Sequence, residues 1–286
     1  MDPTRHARLL VVAGAILFST GGAAIKSCAI HGWALAGFRS AIAAALLLLI
    51  LPSARRVWSL HIVPVALAYA ATLILFILAN KLTTAANSIF LQAVAPLYLL
   101  LLGPWLLKEP VGRADFVFMA AFAVGLTLFF VRIEPPRQTA PDPFLGNLLA
   151  AISGVTWALV LVGLRWLGRE GRPERGSPAA SVAFGNLIAF AVCLPWTFPL
   201  GQIQIRDWLI LGYLGVFQVG LAYVCVTLAM RRLGALEASL LILIEPALNP
   251  IWAWLVHGEK PGALALAGGV VILVATAFRV LWRPRR

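Results

Sequence analysis

Charge is what this sequence has least of. Only 12% of its 286 residues are Asp, Glu, Lys or Arg, against about 25% in an ordinary soluble domain. Residues are 61% hydrophobic and mean hydropathy is +0.92. A water-facing fold of this size could not hide so much apolar surface, so the solvent is lipid. Cysteine is nearly absent too. Cys28, Cys193 and Cys225 make an odd set without metal-ligand spacing, which argues against a disulfide framework or a zinc site. The four histidines, His6, His31, His61 and His257, are scattered over tails and segment ends. No histidine cluster, paired catalytic carboxylates or phosphate-cradling loop is visible, so an integral-membrane enzyme is the weaker alternative and no cofactor or metal is expected. Long polar stretches are missing as well. The longest connectors run to roughly a dozen residues, which leaves no room for a soluble sensory domain.

Acidic residues are the scarcer sign: 11 against 23 basic, for a net charge of +12. In a soluble chain that would suggest nucleic acid. Here the arginines sit in short connectors between apolar runs and read as topology determinants, which argues against a nucleic-acid partner. The first run follows Arg5-His6-Ala7-Arg8 and has the look of a signal peptide. It continues to Ile25 and more spans follow, so it reads as an uncleaved first span.

Apolar windows of about 20 residues, the length that crosses a bilayer, fall near 9–26, 33–52, 60–80, 85–106, 113–131, 144–166, 179–199, 206–230, 234–256 and 261–282. The expectation is an all-α polytopic membrane protein with ten transmembrane helices. With the N-terminus inside, sixteen Lys and Arg fall in inward connectors and tails. Six fall outside: Lys26, Lys81, Arg132, Arg137, Arg206 and Lys260. That bias predicts both termini in the cytoplasm of a multi-pass cytoplasmic-membrane protein.

The linker RIEPPRQTAPDP (132–143) separates a first five-helix repeat, 1–131, from a second, 144–286. The halves echo each other weakly. APLYLLLLGPWLLKE (95–109) faces EPALNPIWAWLVHGE (245–259), so that Pro96 pairs with Pro246 and Glu109 with Glu259. An odd span count inverts the second half. Two inverted repeats around a central cavity are the architecture of alternating-access transporters.

These segments, with the opening LFSTGGAAIK (17–26), resemble the EamA-type transporters of the drug/metabolite transporter superfamily. Phe18 stands where that family commonly has Trp. The resemblance covers essentially the whole chain. It implies ten helices, a central cavity and export of small metabolites, often amino acids, with the bacterial aromatic amino-acid exporters as the nearest relatives. Drug or other metabolite efflux stays open as an alternative. The expected partners are the lipid bilayer, a small-molecule substrate and protons as a candidate coupling ion.

Glu245 lies near the middle of the ninth span, where a charge costs about 2.5–3.5 kcal/mol on insertion scales. It reads as a gate, a proton site or an anchor for a substrate ammonium, or equally as a structural partner for a neighbouring helix. Pro246 and Pro250, and Pro96 in the fourth span, should bend or unwind their helices, which makes them hinge candidates. Depth counting adds Ser19, Thr20, Tyr69, Thr72, Phe76, Gln92, Tyr98, Thr156, Trp157, Gln218 and Tyr223 as substrate-cavity candidates. A largely apolar, aromatic lining with a few hydrogen-bonding groups suits a neutral, partly hydrophobic solute. Arg39 is expected to snorkel or to pair with an acid. Glu109, Glu237 and Glu259 are read as structural, Glu109 and Glu259 beside Lys108 and Lys260. Trp252 and Trp254 are read as interfacial anchors.

Overall fold

In lipid every backbone polar group needs an internal partner, which favours unbroken helices. The computed structural model describes residues 3–56, 58–106, 113–167, 176–229 and 241–281. Among them the chain is helical, apart from its connectors and one isolated bridge between Arg137 and Ala140. The helices are α1 (Pro3–Ser19), α2 (Gly21–Ser27), α3 (Gly32–Ile50), α4 (Pro52–Arg56), α5 (Ile62–Leu82), α6 (Ala85–Gln92) and α7 (Ala95–Leu106). Then come α8 (Arg113–Val131), α9 (Pro143–Leu167), α10 (Pro178–Cys193), α11 (Ile205–Tyr213), α12 (Ala222–Ala229), α13 (Ile244–His257) and α14 (Ala263–Leu281). A π-helical stretch, Leu214–Leu221, joins α11 to α12.

Six segments are long and apolar enough to cross a membrane: Thr4–Ser27, Gly32–Ile50, Ile62–Leu82, Pro143–Leu164, Pro178–Trp196 and Ile205–Val226. Helix starts carry ordinary capping chemistry. Ser177 accepts from the Ala180 amide ahead of Pro178, and Thr84 accepts from Asn87. Gly258, at φ +63°, ends α13 in the left-handed conformation that glycine tolerates best. Large apolar side chains line the outside. Val117, Val124 and Val131 on α8, and Val270, Val274 and Phe278 on α14, are all more than half exposed. In water such stripes would be liabilities; in lipid they are the ordinary surface.

Packing runs between the two halves more than within them. The most extensive contact is α5 along α9, with α1 along α12, α3 against α10, α8 against α14 and α6 against α13. Residues 132–143 cap one end of the bundle. There the Asp142 amide donates to the Leu82 carbonyl, and Lys26 donates to the Thr83 and Thr139 carbonyls.

Three breaks interrupt the helices near mid-bundle. Thr20 separates α1 from α2, Ala93 and Val94 separate α6 from α7, and Leu243 precedes α13. Pro96 and Pro246 therefore stand in the first turn of a new helix, where the missing N–H is an orphan donor anyway. The helices are interrupted just before these two prolines, at Ala93 and Val94 and at Leu243. Pro250 lies inside α13 and removes a helical hydrogen bond.

Candidate functional site

The break at Thr20 opens the site. Leaving the helix there frees hydroxyls to turn inward. Thr20 Oγ1 donates back to the Leu17 carbonyl at 2.7 Å and meets Tyr213 Oη at 2.8 Å. Ser19 accepts a hydrogen bond from Trp252 Nε1 at 2.9 Å. Between these groups lies a cavity of about 450 Å³. Its walls are Thr20, Ala23, Ala24 and Ser27 on the first span, Arg206, Leu209, Ile210 and Tyr213 on α11, and Trp252 and Val256 on α13. His257 Nε2 lies 2.9 Å from the Ala23 carbonyl and 3.2 Å from Ser27 Oγ, tying α13 to α2 beside it. Trp252 is thus a cavity wall, not the expected interfacial anchor. Trp254, 52% exposed, keeps a lipid-facing position.

Deeper in the bundle, the π-helical stretch presents Gln218. Its Oε1 accepts from Arg39 Nη1 at 3.1 Å, and its Nε2 donates to the Phe18 carbonyl at 3.3 Å. Arg39 is 1% exposed, so it neither snorkels nor pairs with an acid. Gln218 stands in for the expected carboxylate. Two glycines let this layer form. A Cβ at Gly21 would fall 2.8 Å from Gln218 Nε2, and one at Gly22 2.5 Å from Asn249 Oδ1. Tyr223 packs edge-on between Phe18 (5.1 Å) and Tyr69 (5.6 Å).

A second polar layer joins α5, α6 and α9. Thr72 Oγ1 donates to Thr156 Oγ1 at 2.8 Å, Gln92 Nε2 donates to Ser153 Oγ at 2.7 Å, and Ser153 reaches the Thr72 carbonyl at 3.4 Å. Tyr98 packs over Gly154. Trp157 packs with the cluster around Tyr69 and Val160. Phe76 belongs to the main apolar core. Of the expected cavity residues, Thr20 lines the cavity and Ser19 bonds its Trp252 wall; Gln218 and Tyr223 lie in the layer against Phe18, Glu245 sits at the second position of α13, and Thr72, Gln92, Tyr98 and Thr156 form a separate seam.

The rim at the Lys26 end is closed by an ion pair. Lys26 Nζ lies 3.2 Å from Glu259 Oε1, both side chains 3% exposed, and Glu259 Oε2 accepts from the Ala85 amide at 2.8 Å. The expected solvated pairing of Glu259 with Lys260 does not occur. Glu109 and Glu237 lie outside the described residues. Ser27, Arg206, Tyr213, Asn249 and His257 escaped sequence reasoning. For Ser27 and His257 a signal existed, since both sit at the same end of their spans.

Residues 144–281 match the EamA-like transporter family. The "Pseudopaline exporter CntI" of Pseudomonas aeruginosa strain UCBPP-PA14 is 25% identical, with 96% of each chain covered. An "Uncharacterized transporter" of Archaeoglobus fulgidus is 27% identical over 73% of this chain and 71% of its own length. A crystal structure with a TM-score of 0.62 and 21% identity covers 98% of each chain and shares the fold. The family match and the relatives named as transporters point to a transporter rather than an enzyme, and the chain is similar to EamA-type transporters.

Proposed function

We propose that this protein is an EamA-type transporter that exports neutral or aromatic amino acids from the cytoplasm by alternating access. The cavity between the first span, α11 and α13 carries the reading. Its volume lies within the range of about 300–1,000 Å³ usual for small-molecule sites. Trp252, Tyr213, Leu209 and Ile210 offer apolar and aromatic walls, Thr20 and Ser27 offer hydroxyls, and Arg206 offers a cation for a carboxylate. Supporting the alternating mechanism are the helix breaks at Thr20 and Leu243, and the packing of each half against the other. We read these as ten spans in two inverted repeats, 1–131 and 144–286, both termini cytoplasmic, with Pro96, Pro246 and Pro250 as hinges. The Lys26 end then faces outward. Thr72, Phe76, Gln92, Tyr98, Thr156 and Trp157 would line the path once the halves rock. Protons are the candidate coupling ion.

The test is uptake of a labelled amino-acid and metabolite panel into vesicles holding the purified protein, with and without a proton gradient. Pseudopaline belongs in the panel, because a relative spanning 96% of the chain is named for its export. Movement of phenylalanine, leucine or a similar solute is expected. Movement of pseudopaline alone would favour the second reading, a dedicated exporter of that compound class. Movement of nothing would sink both.

A further inference from the structure

Threonine is among the residues that best cap a helix, because its hydroxyl can accept from an amide of the first turn. Thr84 does this for α6, and Ser177 does the same for α10. Thr20 stands just before α2 and does not. Its backbone is already helical (φ −73°, ψ −10°) and its side chain makes no capping bond. The hydroxyl proton goes back to the Leu17 carbonyl at 2.7 Å. A hydroxyl has one proton to give, so Tyr213 Oη, 2.8 Å away, donates and Thr20 Oγ1 accepts. Ser19 repeats the arrangement. Its hydroxyl donates to the Ile16 carbonyl at 2.7 Å and accepts from Trp252 Nε1 at 2.9 Å. Two consecutive hydroxyls thus spend their protons on carbonyls in the last turn of α1, and offer their lone pairs to two aromatic side chains of the other half.

Both aromatic side chains line the cavity. They lie on different elements, Tyr213 at the end of α11 and Trp252 within α13. Tyr213 stacks on Phe217, at 5.7 Å and 23°, rather than on Trp252. Tyr and Trp rings turn about only two torsions, so a hydrogen bond at the polar tip fixes the plane of each ring. Packing alone would be served by a capping Thr20 and by phenylalanine at position 213. We propose that Ser19 and Thr20 are positioning residues: they hold Trp252 and Tyr213 as two walls of one slot, and so set a preference for solutes carrying a flat aromatic ring. This narrows the substrate class of the cavity and rests on the amino-acid reading above.

The test measures binding of phenylalanine and cyclohexylalanine to the purified full-length protein. The second ligand has similar bulk but a puckered ring without π faces. The parent should prefer phenylalanine by about twofold to tenfold, the size of one ring-on-ring contact. Ser19→Ala, Thr20→Val and Tyr213→Phe should each bring that ratio towards one. Thr20→Ser, which keeps the hydroxyl, should restore the ratio that Thr20→Val loses. Combining Thr20→Val with Tyr213→Phe should do no more than either change alone, because both remove the same hydrogen bond. Tyr213→Phe preserves the ring and carries the test should Thr20→Val not fold. A ratio taken within one variant does not depend on the fraction that folds, so a general loss of affinity does not mimic the result. A parent that binds both ligands alike, unchanged ratios in Ser19→Ala and Thr20→Val, or losses that add in the double variant overturns the positioning role while leaving amino-acid export standing. A parent that neither binds nor moves any amino acid overturns both.

Discussion

Gly22 leaves no room for a methyl group. A Cβ there would lie 2.5 Å from Asn249 Oδ1 and 2.7 Å from Ala85 Cβ, whereas one at Gly212 would meet nothing within 4 Å. Both glycines are helical, and alanine is intrinsically favoured over glycine there by about 1 kcal/mol. Gly22→Ala should nevertheless lower the thermal unfolding midpoint of the detergent-solubilised protein, with an overpacking cost of about 1–3 kcal/mol. Gly212→Ala should hold or raise it. Equal midpoints for the two would deny the close packing of α2 on α13. At this scale the sequence was least informative. It exposed Glu245 and Arg39 as charges in apolar runs, but the partner of Arg39 comes from Gln218, 179 positions away. Glu259 looked like half of a local pair with Lys260 and proved to join Lys26. Hydropathy reports the setting of a side chain and says nothing of its partner.

The helices themselves were largely legible, since a run of about 20 apolar residues has few alternatives in lipid. Expected windows at 33–52 and 144–166 correspond to α3 (Gly32–Ile50) and α9 (Pro143–Leu167). The breaks were only half legible. Prolines pointed to those beside Pro96 and Pro246. No proline marks the break at Thr20 or the π-helical stretch around Gln218, where tertiary packing sets the backbone. The two prolines of α13 should therefore behave differently. Pro246→Ala restores an N–H in the first turn that no helical carbonyl awaits, so stability should barely move. Pro250→Ala restores an interior bond and relieves crowding of the Pro246 carbonyl, which together can contribute about 3 kcal/mol. It should raise the thermal midpoint and, if the bend serves the transport cycle, slow initial uptake. A Pro246→Ala variant stabilised as much as Pro250→Ala would contradict this placement of the break.

Across the whole molecule, the halves are bound more to each other than to themselves. The pairs α1 with α12 and α5 with α9 would exchange under the proposed twofold relation, as would α1 with α13 and α6 with α9. The α3–α10, α6–α13 and α8–α14 pairs would map onto themselves. The faint echo of APLYLLLLGPWLLKE in EPALNPIWAWLVHGE hinted at such a relation, but a proline and a glutamate cannot say which helices meet. In this arrangement one end is held by Lys26 and Glu259, which tie the first span, the start of α6 and the residues after α13. That tie must loosen whenever this end opens further. A solute that crosses by alternating exposure of one site produces counterflow. Vesicles preloaded with unlabelled substrate should take up the labelled form several-fold faster than empty vesicles, because loaded sites return faster than empty ones. Uptake at the same rate with and without internal substrate would contradict alternating exposure.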